Sequence, residues 1–237
     1  MKLLFCAGFL LAISAPILAD PPCHMSELMG CVQIGIDWLH SLPPKSIPET
    51  EQDVDAMCTE ITKAFDCAIK FRESCMTPLE KEVVLLVVEG ALDLQKDFCT
   101  KGSASRGKYM THSVCLNKVS HMEEIKTQIE YLLAVLENAR NVKATDAVNY
   151  GCCGYRKFYN SFLKLTTDTC GKEAVDATQE LISAAVAQLP DVACSGYTGE
   201  EDKCKAILPP EGSKPSSDAN GTQFYKFIRD ILKNWLD

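Results

Sequence analysis

The sequence predicts an all-α protein, a disulfide-stapled helical bundle of about six to eight helices that ends in an amphipathic C-terminal helix. Three observations support this fold class. Apolar residues recur at helical spacing along most of the chain, and prolines and cap residues delimit these stretches. Thirteen cysteines occur among the 237 residues, and 46% of the residues are hydrophobic. The chain can therefore bury a real core and reinforce it with disulfides.

The N-terminus resembles a secretory signal peptide. Met1 and Lys2 precede an apolar run that ends at Leu18, followed by the small Ala19. A membrane anchor is the alternative, but the run is short, Pro16 interrupts it, and no basic cluster follows. We expect residues 1–19 to be removed and the protein to be secreted, with no transmembrane segment.

Removal of the signal would take away Cys6 and leave twelve cysteines. An even number in a secreted chain favours disulfides over metal ligation, and no C-x-x-C pair is present. The pairing is open, but we expect every one of these cysteines to be bonded: Cys23, Cys31, Cys58, Cys67, Cys75, Cys99, Cys115, Cys152, Cys153, Cys170, Cys194 and Cys204. The formal charge of −8 argues against nucleic acid or an anionic membrane as partner.

The predicted central helix, from about Thr50 to Ser74, follows a first helix that Pro43 and Pro44 end. Cys58 and Cys67 should lie on opposite sides of it. Nine residues of helix rise about 13.5 Å, whereas bonded cysteines need Cα atoms within about 7 Å. We therefore expect Cys58, Cys67 and Cys75 each to reach a different segment.

The third helix has a specific start signal, Thr77-Pro78-Leu79-Glu80, and should end near Cys99. The β-branched run from Val83 to Val88 leaves a strand as the alternative. The composition of residues 101–108 indicates a loop, with a short helix around residues 114–116.

A second capping box is predicted at residues 120–123, before an apolar stripe that favours core packing over a heptad partner. The stripe consists of Met122, Ile125, Ile129, Leu132, Leu133 and Leu136. The segment 150–154 should then lead into a helix over about 155–169, followed by another over 172–189 that Pro190 closes.

An internal repeat is a further hypothesis. Cys58, Cys75 and Cys99 recur 95 residues later as Cys153, Cys170 and Cys194. This offset indicates two pseudo-repeats, although coincidence among so many cysteines is the alternative.

The tail divides into a linker and a helix. After the helical domain, residues 20–208, a Pro/Ser/Gly linker at 209–221 contains the sequon Asn220-Gly221-Thr222, so we expect glycosylation at Asn220. Residues 222–237 then form a helix that could dock on the body, the favoured interpretation, close a pocket, engage a partner or enter a membrane. Its apolar face consists of Phe224, Phe227, Ile228, Ile231, Leu232, Trp235 and Leu236.

No catalytic or metal-binding constellation is recognisable. The Cys152-Cys153 pair resembles the C-C-x-x-H motif of secreted phospholipase A2, but Arg156 stands where the general base would be. The four histidines lack metal-ligand spacing. We expect no enzyme activity, no metal and no cofactor.

The cysteine frame resembles that of the twenty-seven-kilodalton haemolymph glycoprotein family of arthropods. The shared features are C-x8-C-x3-F beginning at Cys58, C-M-x-x-x-E beginning at Cys75, Phe98-Cys99, and Cys115. The second half, around Cys153 and Cys170, is also similar. Helical cysteine-framed secreted domains of nematodes are a second resemblance. The first resemblance implies an abundant secreted body-fluid glycoprotein and no catalytic site.

We therefore expect a secreted, haemolymph-like glycoprotein that carries a small apolar ligand, such as a lipid or hormone, between its helices. The alternative is an immune, salivary or venom interaction protein whose C-terminal helix engages an extracellular protein or a membrane. The sequence leaves the ligand, the partner and the oligomeric state open.

Overall fold

A computed structural model describes residues 23–139, 142–185, 194–216 and 223–236. The predicted signal peptide and the sequon at Asn220 lie outside these ranges. All regular secondary structure within them is helical, as the sequence predicts. The helices are α1 (Met25–Ser41), α2 (Glu51–Cys75), α3 (Pro78–Phe98), α4 (Ala104–Ser120), α5 (Glu123–Asn138), α6 (Ala144–Cys170), α7 (Lys172–Ala185), the single turn α8 (Asp202–Lys205) and α9 (Gln223–Leu232), which continues as a 3-10 turn (Lys233–Trp235).

The cysteines expected to form disulfides pair in six bonds. The bonds are Cys23–Cys75, Cys31–Cys67, Cys58–Cys99, Cys115–Cys170, Cys152–Cys194 and Cys153–Cys204. Their Cα atoms lie between 5.2 and 5.8 Å apart, which is usual for a disulfide. The bundle is therefore cross-linked along its whole length.

Helix α2 packs against α1 and α3, and local signals explain where α2 and α3 begin. Thr77 and Glu80 form the predicted capping box at the start of α3, and Thr50 and Asp53 form another at the start of α2. Val83 to Val88 lie within α3, so the strand alternative is wrong. Helix α1 runs antiparallel to α2, since Cys23 and Cys31 pair with Cys75 and Cys67 in reverse order.

The expectation that each cysteine of α2 reaches a different segment is wrong for two of the three. Cys67 and Cys75 both bond to the region of α1, whereas Cys58 bonds to Cys99 at the end of α3. Residues eight apart on a helix differ by only about 80° in direction, so Cys67 and Cys75 face the same neighbour. Cys58 faces the other side, as predicted.

Helix α4 is longer than the sequence indicated. It begins at Ala104, because the hydroxyl of Ser103 accepts a hydrogen bond from the backbone N–H of Arg106. The predicted loop over 101–108 therefore shrinks to the residues before Ala104. Its Gly107 is tolerated inside the helix at a cost of about 1 kcal/mol relative to alanine.

The capping box predicted at residues 120–123 is wrong. Ser120 ends α4, and its hydroxyl donates to the carbonyl oxygens of Lys45 and Asn117. Helix α5 begins at Glu123 without a side-chain cap. The hydrogen bond from Ser120 to the carbonyl of Lys45, a residue distant in the chain, thus replaces the local capping box that the sequence pattern predicts.

The residues Tyr150 to Gly154 belong to the long helix α6, which starts eleven residues before the predicted Tyr155. Gly154 lets α6 approach α5 closely, because a Cβ atom there would lie 3.0 Å from Cγ1 of Val135. Gly154 therefore serves close packing, and neither Gly151 nor Gly154 ends the helix. Helix α7 is described to Ala185, and the remainder of its predicted range to 189 lies outside the described residues.

The main core lies between α5, α6 and α9, and it contains the apolar stripe on α5, as predicted. The buried residues of this core are Val119, Ile125, Ile129, Leu133, Leu136 and Tyr225. A smaller core joins α2, the end of α3 and α4 around Val54, Cys58 and Phe98. These two cores border the cavities described below.

The disulfides also bear on the proposed repeat. Cys58–Cys99 joins α2 to the residue after α3, and Cys152–Cys194 joins α6 to the segment that follows α7. Cys75 and Cys170 are both the last residue of a long helix, α2 and α6, and both bond back to an earlier element. The 95-residue offset predicts that Cys194 bonds to Cys153, but it bonds to the adjacent Cys152. The disulfides of the two halves therefore match the proposed repeat only to within one residue.

Candidate functional site: two adjoining apolar cavities

One cavity, called the first cavity below, has a volume of about 480 Å³. It lies between α1, α2, α3 and the segment 42–48 and is partly open to solvent. Apolar side chains from all four elements line it, among them Leu39, Leu42, Met57, Ile61, Phe65 and Leu94. A volume of this size lies within the range of about 300–1,000 Å³ that is typical of small-molecule sites.

No lysine, arginine, histidine, aspartate or glutamate lines the first cavity. Its polar side chains are neutral: Trp38, Ser46, Gln95 and Tyr109. The Gln95 amide donates to Oγ1 of Thr62 at 2.8 Å, which fixes the orientation of its nitrogen. The cavity can therefore solvate hydrocarbon and offer a few neutral hydrogen bonds, but it cannot neutralise a charged ligand.

Tyr109 is held at the inner end of the first cavity. Its hydroxyl donates to the carbonyl oxygen of Pro48 at 2.5 Å, and its ring packs edge-on against Phe98, with centroids 5.4 Å apart. Burial raises the pKa of the Tyr109 phenol well above its usual value, with a smaller contribution from Glu49. The phenol is therefore neutral at physiological pH and serves as part of an apolar wall.

The segment 42–48 is a wall of the cavity, although it has no regular secondary structure. The Oδ1 atom of Asn117 accepts from the backbone N–H of Ile47 at 2.8 Å, and the Lys45 N–H donates to the carbonyl of Asn234 at 2.9 Å. Lys45 has a φ of 62°, a left-handed conformation that is uncommon for lysine. Helix α4 and the end of the chain thus hold this wall in place.

A buried arginine joins α4 to the start of α2. Arg106 is 1% exposed, and its guanidinium pairs with the carboxylates of Glu51 and Asp55, at 2.7 Å for Asp55. Lys101 and Arg106 lower the pKa of Asp55, and the Asp55 carboxylate in turn raises the pKa of Arg106. Arg106 lies one turn before Tyr109, so this network fixes the helix that presents Tyr109 to the cavity.

A second cavity of about 370 Å³ adjoins the first. Side chains of α4, α5, α6, α7 and the C-terminal segment line it, including Leu116, Ile129, Phe158, Phe162, Leu232 and Trp235. Both of its aliphatic hydroxyl side chains bond to backbone carbonyls: Ser120 as described above, and Thr178 to Ala174 at 2.7 Å. Its surface is therefore almost wholly apolar.

The C-terminal helix packs on the body. Tyr225 is 1% exposed within the main core, and from the predicted apolar face Ile228, Leu232, Trp235 and Leu236 pack against that core. Phe227 and Ile231 are half-buried, and the side chain of Phe224 lies outside the description. Sequence reasoning missed Tyr225, although its spacing of three and seven residues to Ile228 and Leu232 was a usable signal.

The predicted linker is anchored over its described part. The carbonyl of Pro209 accepts a hydrogen bond from the Tyr131 hydroxyl at 2.8 Å, and the backbone N–H of Ser216 donates to the Glu137 carboxylate at 2.8 Å. Lys214 also pairs with Glu130 at 2.8 Å. Residues 209–216 thus follow α5, whereas 217–222 lie outside the described residues.

Neither metal ligation nor membrane spanning has a structural basis in the residues that the structure describes. Among them, no three histidine, cysteine, aspartate or glutamate side chains converge as a metal site would require. No helix in these ranges combines the length and the hydrophobicity needed to cross a bilayer.

Comparison of the chain with protein-family models, with curated proteins and with solved structures gave no match. The resemblance of the cysteine frame to the haemolymph glycoproteins therefore stays a hypothesis.

Proposed function

We propose that this protein is a secreted, non-enzymatic binding protein that carries a small, uncharged, apolar molecule in the first cavity. The observation that carries the proposal is the lining of that cavity: residues of α1, α2, α3, α4 and the segment 42–48 line about 480 Å³, and none of them carries a charged side chain. Transfer of apolar surface from water into such a site is favourable by roughly 25 cal/mol per Å².

The rigidity of the walls supports a binding role. Cys99 lines the first cavity and is bonded to Cys58, while two further disulfides join α1 to α2. Walls that are already fixed lose little conformational entropy when a ligand binds, which favours affinity. Six disulfides also suit an oxidising extracellular fluid.

The neutral lining specifies the ligand class. A carboxylate or ammonium group would lose its hydration in the cavity without a charged partner, which is strongly unfavourable. The indole of Trp38, the hydroxyl of Ser46 and the amide of Gln95 can bond instead to a hydroxyl, carbonyl or ester group. Long-chain alcohols, esters and terpenoid or sterol-like molecules fit this chemistry.

A fluorescent probe can test the site directly. We expect N-phenyl-1-naphthylamine to bind the disulfide-bonded, full-length protein with enhanced emission. Ala91→Phe, which fills the cavity from α3, should weaken binding at least tenfold. The matched control Val83→Phe lies on the same helix, where Val83 is 53% exposed, and should bind as the parent does.

Two results would contradict the proposal: no binding by the parent protein, or equal binding by a folded Ala91→Phe variant. Native mass spectrometry of protein secreted by its source tissue should then identify the natural ligand. A glycosidase-dependent mass shift would test modification at Asn220.

An interaction role for the C-terminal helix is the alternative function. This function would require the C-terminal helix to leave the body of the protein and to break the contacts of Tyr225 and Trp235 with the main core. Deletion of residues 222–237 separates the two functions. Loss of thermal stability indicates a docked structural helix, whereas loss of partner or membrane binding with stability intact indicates an exposed effector.

A further inference from the structure

Ile47 and Tyr109 line both cavities, and within the described residues they are the ones that the two linings share. The two cavities therefore meet at these two residues.

We propose that the two cavities are the two ends of one binding site for an elongated neutral lipid, whose chain passes Ile47. This inference rests on the proposed function and deepens it, because it specifies the shape of the ligand. The first cavity would hold the end with the polar group, and the second would hold the hydrocarbon tail.

The two boundary residues differ in how firmly they are held. The Tyr109 hydroxyl is bonded to the carbonyl of Pro48, and its ring packs on Phe98. Ile47 is anchored through its backbone N–H to Asn117, and its half-buried side chain can make only van der Waals contacts. Branching at Cβ restricts χ1 of isoleucine, but its terminal ethyl group can rotate about χ2 between staggered wells. Ile47 is thus the movable part of the boundary.

The positions of the polar groups indicate which end of the ligand lies in which cavity. In the second cavity the hydroxyls of Ser120 and Thr178 already bond to backbone carbonyls, and the indole of Trp235 is its one further polar group besides the shared Tyr109. In the first cavity Trp38 and Ser46 add neutral polar groups near the segment 42–48. A polar head group therefore finds partners in the first cavity, while Phe158 and Phe162 favour hydrocarbon in the second.

A chain-length series tests the inference on the full-length, disulfide-bonded protein. Straight-chain primary alcohols from octanol to hexadecanol would be titrated against bound N-phenyl-1-naphthylamine. Each buried methylene should strengthen binding about threefold to fourfold. The rise should continue to the longest alcohols, because the second cavity accepts the additional length.

Thr178→Phe fills the second cavity from α7 and leaves the first unchanged. We expect this variant to bind octanol as the parent does and to bind hexadecanol at least tenfold more weakly. Equal hexadecanol affinity in the folded variant would overturn the extended site while leaving the proposed function intact.

The parent protein alone also gives a decisive result, which holds even if Thr178→Phe fails to fold. An affinity that stops rising at the shortest alcohols would overturn the extended site. If no alcohol of any length displaced the probe and the probe itself did not bind, the proposed function would fail as well.

Discussion

The Nε2 atom of His40 lies 2.7 Å from the backbone carbonyl oxygen of Asp230. A carbonyl only accepts hydrogen bonds, so the imidazole donates, and the end of α1 is tied to α9. Asn234 adds a second link, since its side-chain amide donates to the carbonyl of Pro43 at 3.2 Å. The C-terminal helix therefore closes onto the segment that forms a wall of both cavities.

The first prediction concerns the docking of this helix. Tyr225→Ala should lower the free energy of unfolding by about 3 kcal/mol, because it empties a site in the main core. Urea unfolding monitored by circular dichroism measures the change. Lys226→Ala, at an exposed position on the same helix, is the control and should have little effect. Parent-like stability of Tyr225→Ala would mean that α9 does not contribute to the core in solution.

The second prediction separates two disulfides by their position relative to the first cavity. Replacing both cysteines of Cys58–Cys99, or both of Cys153–Cys204, should cost roughly 3 to 4 kcal/mol of stability, because the closed loops are similar in length. Only the loss of Cys58–Cys99 should also weaken probe binding, since Cys99 lines that cavity. Probe titration below the unfolding temperature of both variants checks this, and equal affinities would contradict it.

The third prediction concerns the charge of the ligand. At pH 7.5 hexadecanol should bind at least tenfold more tightly than hexadecanoate, because the linings of both cavities lack a cation to pair with a carboxylate. The difference should narrow as the pH approaches the carboxyl pKa of about 4 to 5, where the neutral acid becomes available. Competition against the fluorescent probe gives both affinities. Tighter binding of the carboxylate would indicate a cationic site outside the described linings.

The fourth prediction concerns acid stability near α8. Hydrogen bonds from the Thr198 side chain, with further contributions from nearby backbone N–H groups, lower the pKa of Glu201 from 4.5 to about 2. Because the pKa is lower in the folded state, its stabilising effect is present above pH 4.5 and is lost as the pH falls towards 2. Glu201→Gln should therefore show a shallower fall in Tm between pH 4.5 and 2.

The neighbouring substitution Glu200→Gln removes the same charge and serves as the control for Glu201. A Glu201→Gln variant that loses stability with pH as steeply as the parent would show that the bonds to Thr198 do not stabilise the fold.

The local geometry gives Gly199 a related role: its φ is 88°, and a Cβ atom would lie 3.1 Å from the backbone nitrogen of Lys157. A side chain at this position would push the turn away from α6.

The helices that the sequence predicts best are those whose ends depend on neighbouring residues. The predicted Thr77–Glu80 box satisfies backbone N–H groups within one turn, so the pattern and the structure agree there. The Thr50–Asp53 box at the start of α2 is equally local, although it was not predicted from the sequence. The same reasoning failed at Ser120, where the hydroxyl bonds to the carbonyl of Lys45, 75 residues away. A local pattern cannot reveal a competing partner from a distant part of the chain.

The sequence predicted the type of site, an apolar site between helices, but not its position in the fold. Apolar helix faces predict a ligand between helices, but no sequence pattern marks the segment 42–48 as a wall of the site. Its importance depends on Asn117, Ser120 and Asn234, which reach it from α4 and the end of the chain. The close contact of Gly154 with Val135 is likewise tertiary, so the sequence pattern did not reveal that α6 extends through this glycine.

By itself, the sequence determined that the fold is all-helical, which helix faces are apolar, and that the cysteines belong to a disulfide framework. These properties depend on residues within about four positions of each other, or on composition. Only the tertiary structure decided which cysteines pair, that Tyr225 enters the core, and that two cavities meet at Ile47 and Tyr109. Each of these depends on distances between elements remote in the chain, and packing of the whole bundle sets those distances.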